Sequence, residues 1–321
     1  MINVAFVGTF AASVEGRVRR HLAVPCEVIV TEEDDVVSKL AEMDVLVTMG
    51  FTAEMGAVAR RLKLVQVPGA GLDRIDRSAM PPGARLANVH GHESGIAEYV
   101  LGAMLALTRD FARLDGALRR GQWQSQWAIG TPPPPVWPEL AGKTLGILGY
   151  GRIGQALARR ARAFDMNVLA IRREATRADA HAIVRGPDAL GDVLARADYV
   201  AITLPLTAAT RGLIGAPQLR SMKPTAVLVN VSRAAIVNED ALYEALASRR
   251  IAAAALDVWY RYPTDAGPTP PARRPFHELT NVLMTPHVSG WTDGMLEARA
   301  TLIAENIARV ARSETPVNLV P

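Results

Sequence analysis

The chain has 321 residues, 49% of them hydrophobic. This length allows about two domains with cores of their own, because single cores stop growing near about 250–300 residues. Lys and Arg number 36 against 32 Asp and Glu, a net charge of +4, and the basic residues are spread along the chain, which argues against a nucleic-acid partner. The one cysteine excludes an internal disulfide, and without a Cys/His cluster at zinc-finger spacing no metal is expected.

The N-terminal residues MINVAFVG have no basic leader and are typical of a first strand, so we expect no export signal. The longest apolar helical run, YVLGAMLAL, is far shorter than the roughly 20 residues needed to cross a bilayer. These features predict a cytoplasmic protein with no membrane partner.

Short apolar runs alternate with amphipathic segments in the first third of the chain, a rhythm typical of a parallel sheet wrapped by helices. The strand candidates are NVAFVG, CEVIVT, MDVLVTMG, LKLVQVPGAG and RLANVH. The helical spacing of Ile96, Val100, Met104 and Leu107 then predicts one long helix from Gly95 to Arg120. Four consecutive prolines in TPPPPVWPELAG force an extended path, either at a domain seam or as a strap over a helix.

A second alternation of strands and helices follows, and a closing helix is predicted from about Asp293 to Ser313. The strand candidates are KTLGILGYG, NVLAIRR, ADYVAITLP, AVLVNVS, AAAALDVW and NVLMTPH, of which the first four are nearly continuous apolar runs. The sequence therefore predicts an α/β fold with two Rossmann-like or flavodoxin-like domains, each built on a parallel sheet.

The motif GYGRIG lies between the predicted strand TLGIL and the helix that it opens, the context in which GxGxxG indicates a dinucleotide site. Its glycines suit a tight turn, a close approach of the pyrophosphate and close helix–strand packing, and the helix N-terminus offers N–H groups to phosphate. The cofactor-binding residues assigned to this turn are Gly149, Tyr150, Gly151, Arg152, Ile153 and Gly154.

The next predicted strand, NVLAI, ends directly in Arg172 and Arg173. At this point an NAD site usually places a carboxylate for the ribose, whereas an NADP site places arginine for the 2′-phosphate. The pair favours NADP as cofactor, with NAD as the alternative, because Glu174 follows directly and because exposed arginines are often plain surface charge.

Across nearly its whole length the sequence resembles the D-isomer-specific 2-hydroxyacid dehydrogenase family, which includes formate and phosphite dehydrogenases. The segments that carry the resemblance are, in order, GAGLDRID, NVHGHESGIAEYVLGAML, LAGKTLGILGYGRIGQALA, ITLPLTAATRGLI, LVNVSRAAIVNEDAL, AALDVW and LMTPHVSG. The resemblance implies a substrate domain of residues 1–97 and 289–321, with a dinucleotide-binding Rossmann domain of residues 98–288 inserted into it. It also implies a homodimer and a cleft that closes around a small anionic substrate.

The chemistry of this family needs a cation for the carboxylate, an acid–base group for the proton and a nicotinamide for the hydride. By resemblance, Arg233 in NVSRAA is the cation and His287 in TPHVSG is the acid–base group. Ala70 and Gly71, in the turn PGAG, are assigned to the substrate carboxylate, although an ordinary glycine turn is the alternative. Further cofactor contacts are assigned to Leu204, Pro205, Val231 and Asp257, the last of which can also be a turn former.

The chain departs from the family pattern beside the histidine. Family members usually carry a Glu-Pro whose glutamate hydrogen-bonds the catalytic histidine, and here Tyr262 precedes Pro263. As a third catalytic residue Tyr262 can hydrogen-bond, but a neutral group does not stabilise imidazolium as a carboxylate does. We therefore expect an atypical member in which the reductive reaction loses rate at a lower pH than in relatives with the glutamate.

Two further substrate-binding candidates are His92 and Trp291. The family's asparagine before the linking helix aligns with His92 or Glu93, depending on a one-residue gap. A metal cluster in HGHE is a thinner alternative, because two close ligands lack a third. Trp291, just past His287, is a candidate pocket wall or a core residue.

These features predict an NADP(H)-dependent enzyme that interconverts a small 2-oxo acid and its D-2-hydroxy acid. A formate- or phosphite-type dehydrogenase is a second enzymatic hypothesis. A nucleotide-sensing binding protein without turnover is the hypothesis from another class. The presence of both Arg233 and His287 argues against this last hypothesis.

Overall fold

A computed structural model describes residues 1–130, 132–174 and 179–320. The chain divides into two compact units: Met1–His92 with Trp291–Pro321 (the first unit), and Glu93–Gly290 (the second unit). The second unit is therefore an insertion into the first along the chain. The boundaries expected from the sequence, after residues 97 and 288, differ from this division by five and two residues.

The first unit contains a five-stranded parallel sheet in the order β2-β1-β3-β4-β5, the flavodoxin-like order of a doubly wound fold. Its strands are β1 (Ile2–Val7), β2 (Cys26–Thr31), β3 (Val45–Thr48), β4 (Leu64–Gln66) and β5 (Arg85–Ala87). Its helices are α1 (Gly8–His21), α2 (Glu33–Val36), α3 (Ala53–Val58) and, from the end of the chain, α10 (Asp293–Ala311), which packs against α1.

The second unit contains a seven-stranded parallel sheet in the order β12-β11-β10-β9-β6-β7-β8, the order of a Rossmann sheet with one strand more. Its strands are β6 (Thr144–Leu148), β7 (Asn167–Ile171), β8 (Ile183–Arg185), β9 (Tyr199–Ile202), β10 (Val227–Asn230), β11 (Ala253–Leu256) and β12 (Val282–Met284). Its helices are α4 (Glu93–Arg109), α5 (Phe111–Arg119), α6 (Arg152–Arg162), α7 (Leu190–Arg196), α8 (Ala216–Ser221) and α9 (Glu239–Ala247).

Both sheets are covered by helices on their two faces, which explains the nearly continuous apolar runs in the sequence. Every residue of β3, β9, β10 and β11 is buried. Two apolar clusters line the seven-stranded sheet, one of them beneath α4 and α6, and two more line the five-stranded sheet. The α/β class with parallel sheets that the sequence predicts is confirmed.

The prediction of one long helix from Gly95 to Arg120 is wrong. The helix is interrupted at Asp110, whose φ of 55° and ψ of 42° are left-handed, a conformation that aspartate tolerates better than most residues. The apolar residues of α4 are buried or half-buried, whereas Phe111 and Leu118 after the break are more than half exposed. A helical period in the sequence cannot show that the core ends at this point.

Two other features differ from the sequence prediction. The short strand β8 was not predicted, since its residues Ile183, Val184 and Arg185 are exposed or half-buried and show no apolar run. The proline-rich segment, described from residue 132 onward, lies inside the second unit and not at a boundary between units, so the seam interpretation is wrong. No helix in the described parts of the chain combines the length and apolarity needed to span a bilayer.

Candidate active site

The glycine-rich turn joins β6 to α6 at the carboxyl edge of the seven-stranded sheet. Gly149 has a φ of +111°, and a Cβ atom on it would lie 2.7 Å from the backbone nitrogen of Leu204. A Cβ on Gly154 would lie 2.5 Å from the carbonyl oxygen of Gly149. By contrast, a Cβ on Gly151 would meet nothing within 4 Å. The first and third glycines are thus needed for chain packing, and the second leaves open space in front of the helix N-terminus.

The α6 N-terminus fits the pyrophosphate of a dinucleotide. The helix begins at Arg152, and its N-cap, Gly151, has no side chain to occupy the first N–H groups. Arg152 is exposed and Ile153 is half-buried, whereas the side chain of Tyr150 is only 3% exposed and belongs to the core. Only the backbone of Tyr150 is therefore available to a ligand at this turn.

Arg172 and Arg173 lie directly beside this turn. The carbonyl oxygen of Ile171 accepts hydrogen bonds from the backbone N–H groups of Gly149 and Tyr150, at 3.1 and 2.9 Å. Both arginines follow Ile171 and are exposed. The backbone N–H of Arg172 donates to the carbonyl oxygen of Arg185 in β8 at 3.0 Å, which fixes the backbone at the end of β7. Two cationic side chains thus leave the sheet next to the candidate pyrophosphate site.

The other residues assigned to the cofactor lie along the same carboxyl edge. The hydroxyl of Thr203, just after β9, donates to the carbonyl of Gly149 at 2.6 Å, and the hydroxyl of Ser232, just after β10, donates to the carbonyl of Leu204. Pro205 is exposed, Leu204 is half-buried and Val231 is 6% exposed. The ends of β6, β9 and β10 are in this way tied into one surface.

Arg233, His287 and Tyr262 come together at the carboxyl ends of β10, β11 and β12. The phenol oxygen of Tyr262 lies 2.8 Å from Nδ1 of His287, and the backbone N–H of Trp259 donates to the same oxygen at 3.3 Å. Arg233 is close enough for its charge to lower the pKa of both His287 and Tyr262. The arrangement unites a cation, an imidazole and a phenol.

The electrostatics favour the neutral forms of both rings. His287 is accessible to solvent, yet partial burial of its imidazole lowers its pKa from the ordinary 6.5, Asp257 raises it and Arg233 lowers it again, with a net decrease. Burial also raises the pKa of Tyr262 from its ordinary 10, so the phenol stays protonated at neutral pH. Tyr262 therefore offers His287 a hydrogen bond but no negative charge.

A buried carboxylate positions the histidine loop. Asp257 is fully buried, and its oxygens accept hydrogen bonds from the hydroxyl of Thr285 at 2.5 Å and from the backbone N–H groups of Val288 and Ser289 at 2.9 and 2.8 Å. Between these anchors His287 has a left-handed φ of 60°, which a non-glycine residue adopts only when its surroundings hold it there. The cofactor contact assigned to Asp257 from the sequence stays a prediction.

Two further side chains support this loop, and sequence reasoning missed both roles. The indole N–H of Trp259 donates to the carbonyl of Thr285 at 2.8 Å, and the phenol of Tyr99 on α4 lies 2.6 Å from the hydroxyl of Thr285. Thr285 lies in the TPHVSG segment, but that segment does not show that this threonine is the hub of the network.

The remaining candidates belong to the first unit, also at a carboxyl edge. In the PGAG turn after β4, the Ala70 carbonyl accepts from the side-chain amide of Asn88 at 3.0 Å, and the Gly69 carbonyl accepts from the backbone N–H of Val89 at 3.2 Å. Ala70 and Gly71 are half-buried, while His92, in the loop after β5, is 8% exposed. Trp291 is 48% exposed and meets Phe10 edge-on at 5.6 Å between ring centroids.

No set of three or more His, Cys, Asp or Glu side chains in the described ranges is arranged to hold a metal ion. The candidate residues offer cations, an imidazole, a phenol and a helix N-terminus, which are groups that a nicotinamide-dependent dehydrogenase uses.

Comparison with known proteins agrees with this class. The model of the D-isomer specific 2-hydroxyacid dehydrogenase NAD binding domain matches residues 101–289, more than half of the chain. The chain belongs to this family. A glyoxylate reductase of Thermofilum pendens is 33% identical over 92% of this chain and 88% of its own length.

Other relatives differ in how much of them the chain covers. A D-3-phosphoglycerate dehydrogenase of Methanocaldococcus jannaschii is 35% identical over 90% of this chain, but the match spans only 53% of that enzyme. Among solved structures, a D-isomer specific 2-hydroxyacid dehydrogenase from Xanthobacter autotrophicus Py2, in complex with NADPH and MES, superposes with a TM-score of 0.81 at 26% identity and covers 100% of this chain and 98% of its own.

Proposed function

We propose that the protein reduces a small 2-oxo acid to the D-2-hydroxy acid with NADP(H), or catalyses the reverse. The observation that carries this proposal is the contact between Tyr262 and His287 with the charge of Arg233 beside them, at the same sheet edge as the glycine-rich turn. When bound there, the nicotinamide supplies or accepts the hydride at the carbon atom of the substrate carbonyl.

Each residue has a distinct role in this proposal. Arg233 binds the carboxylate and polarises the carbonyl, because a guanidinium fork can bond two oxygens together. His287 passes the proton to the carbonyl oxygen from Nε2, since Nδ1 is engaged by Tyr262 at 2.8 Å. Asp257 and Thr285 position the imidazole through the histidine loop. In the first unit, the amides of Ala70 and Gly71 receive the carboxylate end.

The preference for NADP(H) is supported by Arg172 and Arg173, which leave β7 beside the candidate pyrophosphate site. The relative from Xanthobacter autotrophicus Py2 was solved in complex with NADPH, which also supports this preference. Guanidinium groups suit a 2′-phosphate because charge-assisted, bidentate hydrogen bonds are stronger than neutral ones.

The function is tested by measuring kcat/KM for glyoxylate, hydroxypyruvate and branched or phosphonylated 2-oxo acids with NADPH and NADH in parallel. Formate and phosphite with the oxidised cofactors belong in the same assay set. We expect turnover of at least one 2-oxo acid, and Arg233→Ala and His287→Ala to abolish it while NADPH binding persists. A protein that binds NADPH but turns over none of these compounds contradicts the proposal and favours a sensor.

The cofactor preference has its own test. Replacing Arg172 and Arg173 by alanine removes up to two charge-assisted contacts, so the NADPH-over-NADH ratio of kcat/KM should fall at least about tenfold. Glu174→Gln, which changes a charge at the next exposed position without removing a cation, is the matched control and should not lower the ratio. An unchanged ratio in the double alanine variant would mean that the two arginines are plain surface charges and do not bind the 2′-phosphate.

We also propose that the protein acts as a homodimer. The support is a set of exposed apolar side chains on α5 and the segment after it, where Phe111, Trp123 and Trp127 are 53%, 61% and 79% exposed. Sedimentation velocity tests this, and Trp123→Ser with Trp127→Ser should shift the protein towards the monomer.

A further inference from the structure

The loop that carries Tyr262 is exposed, yet its two ends are held together. This segment, residues 261–270 (the Tyr262 loop), contains no helix or strand, and nine of its ten residues are exposed. The backbone N–H groups of Tyr260 and Arg261 both donate to the carbonyl of Pro271, at 3.1 and 2.9 Å. These two bonds close the loop, but they do not fix where the loop lies on the second unit.

A carboxylate on α9 fixes the exit of the Tyr262 loop. Glu239 is half-buried in the first turn of α9, and one of its oxygens accepts from the backbone N–H groups of Arg273 and Arg274, at 2.6 and 2.8 Å. Hydrogen bonds to a charged acceptor are stronger than bonds between neutral groups. The side chain of Arg273 also reaches Asp240 at 2.5 Å, but both partners are more than half exposed, so this ion pair contributes little.

The entry of the loop is attached to the start of α9 as well. The phenol of Tyr260 donates to the carbonyl of Val237 at 3.0 Å, and its ring stacks on Phe276 with the centroids 6.4 Å apart. Phe276 is 1% exposed and meets Trp259 and Tyr243 edge-on. The Tyr262 loop therefore begins and ends on residues that pack against α9 and the segment before it.

That segment also carries Arg233. A 3₁₀ turn, Ala234–Ile236, follows Arg233, and Glu239 stands six positions after it. The segment is itself fixed, because the carbonyl and the N–H of Ile214 bond to its backbone on both sides of Val237, at 2.9 and 3.0 Å, and Val237 is 1% exposed. A loop that is held by Glu239 is therefore held in place relative to the proposed substrate cation.

The attachment matters for the contact between phenol and imidazole. Tyr262 is 46% exposed, and its oxygen lies 2.8 Å from Nδ1 of His287. Proton transfer from Nε2 requires one orientation of the imidazole, which the bond at Nδ1 helps to set. Without the bonds to Glu239, the exit of the loop is released and the phenol is free to leave His287.

We infer that Glu239 is a positioning residue of the proposed reaction, which acts by holding the Tyr262 loop on the segment of Arg233. Its two backbone bonds keep the phenol of Tyr262 against His287. This role requires an acceptor oxygen at position 239 and does not require a negative charge. The inference rests on the proposed function and adds a residue to its site.

A double-mutant cycle of Glu239→Ala with Tyr262→Phe tests this inference. The measurement is kcat of the preferred 2-oxo acid on the acid plateau of the pH profile, where changes in the pKa of His287 do not enter. Tyr262→Phe removes one hydrogen bond and should lower kcat about three- to tenfold. Glu239→Ala should lower kcat at least about threefold in the native protein and no further in the Tyr262→Phe background, because the contact is already lost there.

Two variants separate positioning from other effects. Glu239→Gln should retain most of the native kcat, because its amide oxygen can accept from both backbone N–H groups. Asp192→Ala is the matched control: this carboxylate lies in the first turn of α7, forms an exposed ion pair with Arg196 at 3.1 Å, and should leave kcat unchanged. A substitution that merely damages the fold would lower kcat by the same factor in both backgrounds of the cycle.

Tyr260→Phe tests the other end of the loop. It keeps the ring on Phe276 and removes the bond to Val237, so kcat should fall about twofold or more in the native protein and not at all in the Tyr262→Phe background. NADPH binding and the thermal midpoint of unfolding show which variants are folded. If Glu239→Ala does not fold, Tyr260→Phe decides the question.

The outcomes separate this inference from the proposed function. The inference is overturned if folded Glu239→Ala keeps the native kcat, if its loss is repeated in full in the Tyr262→Phe background, or if Glu239→Gln loses as much as Glu239→Ala. If Tyr262→Phe itself keeps the native kcat, Glu239 has no useful contact to hold, so the inference fails while the function stands. If the native protein reduces no 2-oxo acid, the proposed function is wrong and the inference falls with it.

Discussion

Replacing Tyr262 by glutamate should move the pH dependence of 2-oxo acid reduction upward. Reduction needs a protonated His287, so kcat/KM is present below the pKa of this residue and is lost as the pH rises through it. In the native protein partial burial and Arg233 hold that pKa below 6.5, and Tyr262 contributes no charge against them. A carboxylate at position 262 would supply that charge.

The size of the shift follows from the distance and the exposure. The phenol oxygen lies 2.8 Å from Nδ1, and Tyr262 is 46% exposed, so the interaction is partly screened by solvent. An opposite charge about 4 Å away contributes about 1 kcal/mol in bulk water and about 4 kcal/mol near a protein surface, or about one to three pKa units. Because glutamate is shorter than tyrosine, we expect the lower part of this range, about one unit.

The assay is kcat/KM of the preferred 2-oxo acid with NADPH from pH 5 to 9, for the native protein and three variants at position 262. Tyr262→Gln keeps a neutral hydrogen-bonding group and Tyr262→Phe removes hydrogen bonding. In neither variant should the pH at which kcat/KM is lost move upward. In Tyr262→Glu it should move upward. If the Tyr262→Glu profile superimposes on that of Tyr262→Gln, the electrostatic account of His287 is wrong.

Four further substitutions test other parts of the structure. Gly149→Ala should lower the thermal midpoint of unfolding, because its Cβ would lie 2.7 Å from backbone atoms. In Gly151→Ala the Cβ meets nothing within 4 Å, so the thermal midpoint should stay unchanged. The same Cβ should weaken NADPH binding in a titration, because it occupies the space in front of the helix N-terminus. Asp257→Asn replaces one of the two accepting oxygens by an amide donor, which then faces at least one backbone N–H, so denaturant unfolding should show a loss of about 1–3 kcal/mol, and kcat should fall with it. Asn306, which is buried on α10, donates to the side-chain oxygen of Gln66 and the carbonyl of Val317 and accepts from the backbone N–H of Val317. Asn306→Leu leaves these three groups, one buried and two half-buried, without that partner and should cost about 2 kcal/mol in the same measurement, with kcat of the folded protein retained.

The α/β class and the parallel sheets were predictable because strands buried on both faces leave continuous apolar runs, as in β9 and β10. The break at Asp110 was not predictable, because the apolar period continues past this residue onto an exposed face. Only the left-handed φ of Asp110 shows the interruption. The strand β8 was missed for the opposite reason: it is a short strand at the sheet edge without an apolar run, and its pairing with β7 is a tertiary effect.

The candidate site shows a similar division between what motifs reveal and what packing decides. The glycine turn, Arg233 and His287 stand in recognisable segments, and the structure of the second unit brings the latter two within electrostatic range of each other. The role of Thr285 is not visible in its segment, TPHVSG, since it arises from a side chain distant in sequence, Asp257. Such partners follow only from coordinates.

The structure separates the position of His287 from its charge. Asp257 carries the negative charge that raises the imidazole pKa, but its oxygens accept hydrogen bonds from Thr285, Val288 and Ser289, which hold the loop. Its effect on the pKa is smaller than that of burial. The group in direct contact with Nδ1 is the neutral Tyr262. Because position and charge depend on different residues, substitution at 262 should shift the pH profile without displacing the loop, whereas substitution at 257 should do both.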